Sequence, residues 1–584
     1  MKGSESIMKL LLNYIKRYKL LLFFNIISVF GFALVELGIP TIMAKVIDRG
    51  IVYQDINYIK KMGLLIVLIS VIGVMGTIVL GYCSSKISSN ITRDIRNDIF
   101  KKSQEFSHTE YDKFGVSSMI TRTGNDAFVL LQFTNTLLKM ALITPIMFIT
   151  SLIMILKTNV SLSLILAITV PFIIVGVIVI AKISEPLSEK QQKKLDKLNR
   201  ISRENLTGIR VIRAFGNDKH EAERFDETNE SYATVAKKVN KLMSISQPTF
   251  FFLLNLAIIA IFIVSSNMIN AKTLQVGQLV AFIEYLFHAM FSIMLFSMVF
   301  VMYPKAQVSA NRISEILDEE PVIQSPVNGV KETDIRGEIE FNNVSFKYPD
   351  GEEYVLKNIS FNAKKGQTVA FIGSTGSGKS TLINLIPRFY DVSEGYIKVD
   401  GVNVKDYDLK ALRKKIGFIP QKSLLFTGSI ANNIRFGKKN ASTGEVEYAT
   451  KVAQAYEFIS KKQKQFDEVI SEGGANLSGG QKQRLSIARA IVRRPEIYIF
   501  DDSFSALDFK TDATLRKRLK KETKDSVVLI VAQRVGSIMD ADKIIVLNEG
   551  EVVGIGTHKE LLKNCEIYYQ IAESQLTKEE LTNE

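Results

Sequence analysis

Apolar residues are unevenly distributed along the chain. Six runs, about 20–44, 62–83, 137–157, 161–182, 246–269 and 278–301, each approach the ~20 residues a helix needs to cross a bilayer. One such run could be a buried helix of a soluble protein. Six in succession read as transmembrane helices, because backbone in lipid must satisfy its own hydrogen bonds. Joints after the first, third and fifth runs are short. Those after the second and fourth, about 84–136 and 183–245, are long, polar and helix-like, so the helices are expected to continue well past the bilayer. Near residue 305 the pattern changes. Alternating apolar positions in Gly337–Phe341 and Val344–Phe346 predict strands, and strand and helix signals alternate from there, as in an α/β domain. The expected architecture is multi-domain: an all-α six-helix transmembrane domain over 1–317, a linker over 318–336 containing Pro321, Pro326 and Gly329, an α/β domain over 337–575 and a polar tail over 576–584.

Charge adds orientation. The net charge is +14, and the second long joint is dense in basic residues from Lys190 through Arg200, Arg203, Arg210 and Arg213 to Lys241. Basic connections stay in the cytoplasm, so both long joints, both termini and the α/β domain are expected on the inner side of the cell membrane. Arg93, Arg96, Lys101 and Lys102 support this more weakly for the first joint. With apolar spans present, the positive excess is read as meeting anionic lipid rather than nucleic acid. Residues 1–18 are basic and amphipathic and read as a helix lying along the membrane, ahead of an uncleaved first span. Cys83 and Cys565 give neither a disulfide framework nor metal-ligand spacing. The tips of the long joints, near Tyr111–Asp126 and Ile209–Phe215, are expected to contact a cytoplasmic domain.

The chemistry lies in Phe371–Thr381. An apolar strand runs into a glycine-rich turn, and Gly373, four residues, then Gly378-Lys379-Ser380 fits a phosphate-binding P-loop. Backbone N–H groups of Gly373, Ser374, Thr375, Gly376, Ser377 and Gly378 would turn around phosphate oxygens. Lys379 would reach the β- and γ-phosphates of a bound nucleoside triphosphate, and the Ser380 hydroxyl would bind Mg²⁺. A helix over Thr381–Phe389 would aim its N-terminus at the same anion.

Further motifs follow in order. Leu477–Arg484 (LSGGQKQR) resembles the signature motif of ATP-binding cassette (ABC) ATPases, and Ile497–Asp502 resembles their Walker B strand with Asp501 as metal ligand. Ser505–Asp508 resembles the D-loop, Gln421 the Q-loop glutamine, and Tyr348 the A-loop aromatic that stacks on adenine. Glu204–Gly216 and Ala310–Leu317 resemble the exporter branch, so the likeness covers nearly the whole chain. The resemblance implies ATP and Mg²⁺ as ligands, with Ser380, Asp501 and Gln421 around the metal and Gln421 also near the reacting water. It implies pairing with a second half-transporter, whose ATP would be closed over by Ser478, Gly479, Gly480 and Gln481 of this chain.

Two positions depart from the pattern. The family usually has Glu after the Walker B aspartate; here it is Asp502, whose oxygens fall short by roughly 1–1.5 Å. A ~1 Å misplacement can cost on the order of 10²-fold in rate. Where the family usually has His in the switch segment, this chain has Gln533, which can hydrogen-bond phosphate but carries no titratable proton. The expected consequence is a P-loop site that binds ATP and hydrolyses it poorly, with an intact signature motif serving a different partner chain, as in heterodimeric bacterial multidrug exporters. The alternatives are a homodimer exporting lipid or peptide, and a non-transporting membrane sensor. Apolar spans suit hydrophobic or amphipathic cargo. Polar residues inside the spans include Asn25, Glu36, Asn255, Glu284 and His288. Glu36 and Glu284 either line a substrate pathway or reach headgroup water from a span end.

Overall fold

The computed structural model describes residues 7–349, 351–577 and 581. The polar tail expected over 576–584 therefore lies mostly outside the described residues, as do residues 1–6 of the expected N-terminal helix. The chain divides into two compact units. One runs up to Gln104 and again from Val116 to Glu319; the other takes Glu105–Gly115 and Glu320 onward.

The first unit is helical. Its elements are α1 (Ile7–Ile15), α2 (Lys19–Lys45), α3 (Ile56–Glu105, which ends in the second unit), and, after α4 (His108–Phe114) of that unit, α5 (Val116–Thr121), α6 (Ala127–Thr136), α7 (Leu142–Thr158), α8 (Val160–Ala214), α9 (Asp218–Asn270) and α10 (Val276–Asp318). Among the described residues six helices are long and apolar enough to cross a membrane. The 55 residues of α8 would measure ~80 Å at 1.5 Å per residue, far more than the ~30 Å of a hydrocarbon core. Pro171 and Pro186 sit inside it. The break between α7 and α8 has a local cause: Asn159 is extended, and its side-chain oxygen accepts from the Leu162 N–H at 3.1 Å, capping the new helix.

The N-terminal helix departs from expectation. Its apolar stripe of Ile7, Leu10, Leu11, Tyr14 and Ile15 is buried against protein rather than left for lipid. The Ile7 N–H donates to Gln307 on α10, and the Tyr14 and Tyr18 hydroxyls donate to Asp98 and Asp94 on α3 at 2.9 and 2.6 Å. Three polar contacts join α2 and its continuation Val46–Ile51 to α10 in antiparallel register. Gly277 N–H donates to Asp48 at 2.6 Å, the Thr41 and Tyr285 hydroxyls lie 2.6 Å apart, and His288 Nε2 lies 3.5 Å from Glu36 Oε2. Asn25 is fully buried and donates to the Ser84 hydroxyl, whereas Asn255 and Glu284 are exposed.

The second unit is α/β. Its strands are β1 (Glu338–Phe346), β2 (Leu356–Lys364), β3 (Thr368–Gly373), β4 (Glu394–Val399), β5 (Val402–Asn403), β6 (Ile416–Ile419), β7 (Gly428–Ser429), β8 (Val469–Ile470), β9 (Ile497–Asp501), β10 (Val527–Val531), β11 (Lys543–Asn548) and β12 (Glu551–Gly556). A six-stranded sheet has the order β12-β11-β3-β10-β9-β6; all its pairs are parallel except β11 with β12. The order β2-β1-β4-β5 makes an antiparallel sheet, and β7 pairs with β8. The inner strands β9 and β10 are buried at every position, as strands covered on both faces require.

One expectation is corrected here. The contact tip placed at Tyr111–Asp126 is shifted: the element that joins the α/β unit is α4. Ser107 and Glu110 cap it reciprocally. The His108 ring lies 4.7 Å from that of Phe389, Tyr390 donates to Asp112, and Glu110 accepts from the Val322 N–H at 3.0 Å. Residues from Val116 to Asp126 belong to the helical unit instead, where Asp126 is buried and accepts from Ser309, and Arg122 pairs with Glu315 at 2.9 Å. The Pro/Gly-containing linker segment from Glu320 onward is part of the second unit. Val330 exchanges backbone hydrogen bonds with Asp406 and Asp408, and Ile323 is buried.

A buried ion cluster holds this docked segment. Lys415 Nζ lies 2.6 Å from Asp400, 2.8 Å from Glu496 and 2.9 Å from the Thr333 hydroxyl. Lys415→Met leaves the fully buried Asp400 side chain without its counter-charge. It is expected to destabilise the domain by roughly 3–5 kcal/mol, read as a lower midpoint in thermal unfolding of the full chain. An unchanged midpoint would show the ammonium to be dispensable.

Candidate nucleotide site

Strand β3 sits inside the parallel sheet, and its C-terminal end delivers the chain to the edge where ligands of such sheets bind. The loop beyond it cannot carry side chains at two points. A Cβ on Gly373 would lie 2.0 Å from the Leu547 carbonyl oxygen of β11. Gly378 has φ +90°, and a Cβ there would meet Leu356 and the Val355 carbonyl. Between them Ser374, Thr375 and Gly376 form the exposed crest, while Ser377 is buried. The helix that follows, α11 (Lys379–Leu385), is shorter than the expected Thr381–Phe389. Pro387 and Arg388 explain this: Ile386 is still helical, but Pro387 has no N–H to continue the ladder, and Arg388 turns to φ +53°.

Lys379 folds over the loop. Its ammonium donates to the Gly373 carbonyl at 3.0 Å, the Ser374 carbonyl at 2.7 Å and the Ser377 hydroxyl at 3.2 Å. Burial pushes its pKa down, and Asp502 and Asp501 pull it back. The Ser380 hydroxyl donates to Asp501 at 2.8 Å, joining the loop to the end of β9. Burial raises the Asp501 pKa, opposed by that hydrogen bond. A hydroxyl and a carboxylate converging beside a buried ammonium form a donor set that suits Mg²⁺ with phosphate. Tyr348 is tied to the same helix, its hydroxyl 2.9 Å from that of Thr381.

Asp502 sits at φ +44° and is mostly buried. One of its oxygens, Oδ2, accepts two amides: Gln533 Nε2 at 2.9 Å and Gln421 Nε2 at 3.2 Å. Burial raises its pKa, and the Gln421 bond opposes this. The three residues expected to act on water are thus brought together. Gln421, however, bonds Asp502 rather than the Ser380–Asp501 pair.

The signature segment stands apart. Ser478 caps the helix Gly479–Ile491 in a reciprocal box with Gln481, and Ser478 and Gly479 are exposed. Among the described residues no hydrogen bond joins Ser478–Gln481 to the Gly373–Thr381 loop. Sequence reasoning missed Tyr390, whose ring lies 5.3 Å from that of Tyr348 and 5.7 Å from that of His108. Burial, then Asp112, raises its phenol to about 12, so the hydroxyl stays protonated.

The comparisons match this layout. A family model described as the ABC transporter transmembrane region covers residues 22–308, and the ABC transporter model covers 356–505. An ABC transporter ATP-binding protein of Bacillus subtilis, YfiB, is 36% identical over 97% of this chain and 98% of its own length. The chain belongs to the ABC transporter family. A second ABC transporter ATP-binding protein of B. subtilis, YknU, is 30% identical over 99% of this chain and 98% of its own. An ATP-dependent lipid A-core flippase of Haemophilus influenzae is 31% identical over 93% of each chain. The molecule is thus an ABC exporter half-transporter, with a multi-pass membrane domain fused to an ATP-binding ABC domain.

Gly373→Ala puts a methyl group onto the Leu547 carbonyl, so the loop must move. ATP affinity is expected to fall at least about tenfold, since a misplacement of ~1 Å suffices for large losses. Titration with a fluorescent ATP analogue checks this; unaltered affinity would mean that the close approach is unnecessary.

Proposed function

We propose that this chain is the slow-hydrolysing half of a heterodimeric exporter of apolar or amphipathic small molecules. It sits in the cytoplasmic membrane with both termini and the ABC domain inside. The carrying observation is the Asp502 carboxylate held by the Gln533 and Gln421 amides. A base for water needs its oxygen free to accept water's proton. Here one oxygen is engaged by two donors on a side chain one methylene short, and Gln533 cannot take up a proton.

Mg²⁺ held by Ser380 and Asp501 would neutralise charge on the β- and γ-phosphates of ATP. Lys379 would bind the same phosphates, the loop amides would orient them, and Tyr348 would face the adenine. The segment Ser478–Gln481, exposed at Ser478 and Gly479 and, among the described residues, with no hydrogen bond to the loop of its own chain, would close over ATP on a partner carrying Glu and His at these positions. ATP's preference for the closed pair of ABC domains would then shift the spans from inward-open to outward-open. The likeness to the lipid A-core flippases supports a second reading of the cargo, as lipid.

Restoring the missing chemistry tests the central claim. Asp502→Glu with Gln533→His is expected to raise ATP hydrolysis by the purified full chain about 10–100-fold, the scale of a ~1 Å repositioning. If the unaltered chain, purified alone, already hydrolyses ATP briskly and Asp502→Asn abolishes that, the slow-site reading is wrong.

A further inference from the structure

The three contacts between the first and last spans are unequal. Asp48 with Gly277, and Thr41 with Tyr285, are each made at 2.6 Å, and Asp48 and Tyr285 are buried. The third rung is loose: Glu36 and His288 are 3.5 Å apart, with about a third of the Glu36 side chain exposed. Glu36 also forms part of the wall of a cavity of about 300 Å³ between α2 and α3. That is the lower end of the size range for small-molecule pockets.

The rest of the cavity wall has little to offer a charge. Phe32, Val35, Val74 and Ile78 are apolar. The hydroxyls of Ser70 and Thr77 are already donated to carbonyls of their own helix, at 2.8 and 2.9 Å. Gly73 lets the two helices meet, because a Cβ there would lie 2.2 Å from Val35. The wall therefore presents one carboxylate among apolar groups. A carboxylate has about four acceptor sites, and a single imidazole at 3.5 Å leaves most of them open. An ionisable group among apolar side chains needs a partner, and the cavity wall itself supplies no basic side chain.

We infer that Glu36, positioned by the α2–α10 rungs and loosely countered by His288, forms with this cavity a binding site for a lipophilic organic monocation, such as a phosphonium or ammonium carrying aromatic or alkyl groups. The apolar wall takes the hydrophobic body, and the carboxylate takes the charge, favoured by the low dielectric around it. The inference rests on the amphipathic-cargo reading above and narrows it to a sign of charge. Glu284 lies one turn before His288 on α10 but is outside the cavity wall.

Equilibrium binding to the full chain in lipid nanodiscs tests this, with tetraphenylphosphonium as the cation and triphenylphosphine oxide as the neutral probe. The unaltered chain is expected to prefer the cation by about tenfold, a modest fraction of a Coulomb interaction at intermediate dielectric. Glu36→Gln is expected to remove that preference while keeping neutral binding within about twofold, and Glu284→Gln to leave it in place. Equal affinity of the unaltered chain for both probes overturns the site while leaving amphipathic export standing; binding of neither overturns both. Preference retained in Glu36→Gln, or lost only in Glu284→Gln, also overturns it. Should Glu36→Gln bind neither probe, His288→Gln decides, because it spares the carboxylate: kept or tighter cation binding supports the site, and loss of the cation preference overturns it.

Discussion

A peptide backbone in hydrocarbon has no water to bond to. This constraint shapes the helical unit, because each span must satisfy its own amides along its whole length. Helices begun this way continue where the bilayer no longer requires them, as the 50 residues of α3 and 55 of α8 show. Side-chain contacts then maintain them: Asp94 and Asp98 on α3 receive the tyrosines of the N-terminal segment, and Glu204 on α8 pairs with Arg224 on α9. The polar extensions are thus continuations of transmembrane helices rather than separate elements.

In the α/β unit the controlling fact is the crowding of charge at the ends of β3 and β9. Lys379, Asp501 and Asp502 lie in one partly buried region, and burial moves the pKa of each toward its neutral form. Such a site is poised for an anion and its counter-cation, yet the carboxylate nearest the role of base is held by two amides.

The spans were legible because their signal is strong: long apolar runs have few alternatives, and among the described residues six helices are long and apolar enough to cross a membrane. The P-loop was legible because its glycines answer to backbone geometry, as the Leu547 carbonyl beneath Gly373 shows. Tertiary pairing was less so. Nothing local in Val116–Asp126 says that it leaves the α/β unit; that follows from Ser309 and Glu315, nearly two hundred residues away. Pro and Gly mark the linker in the sequence, but nothing local says that Val330 bonds the backbone of Asp406 and Asp408. The apolar stripe of α1 could have served lipid or protein equally well, and only the positions of α3 and α10 decide. The shared oxygen of Asp502 needed three segments at once.

Tyr390 stands between two rings with different duties. Tyr348, on one side, is fastened to the helix after the phosphate loop; His108, on the other, belongs to α4, whose Asp112 also takes the Tyr390 hydroxyl. A ligand that moved the Tyr348 ring would therefore press on a ring that also touches α4. Coupling of this kind is reciprocal: whatever factor the seating of α4 applies to nucleotide affinity, nucleotide applies to the seating of α4. One tyrosine outside every recognised motif thus touches both the Tyr348 ring and the α4 seat.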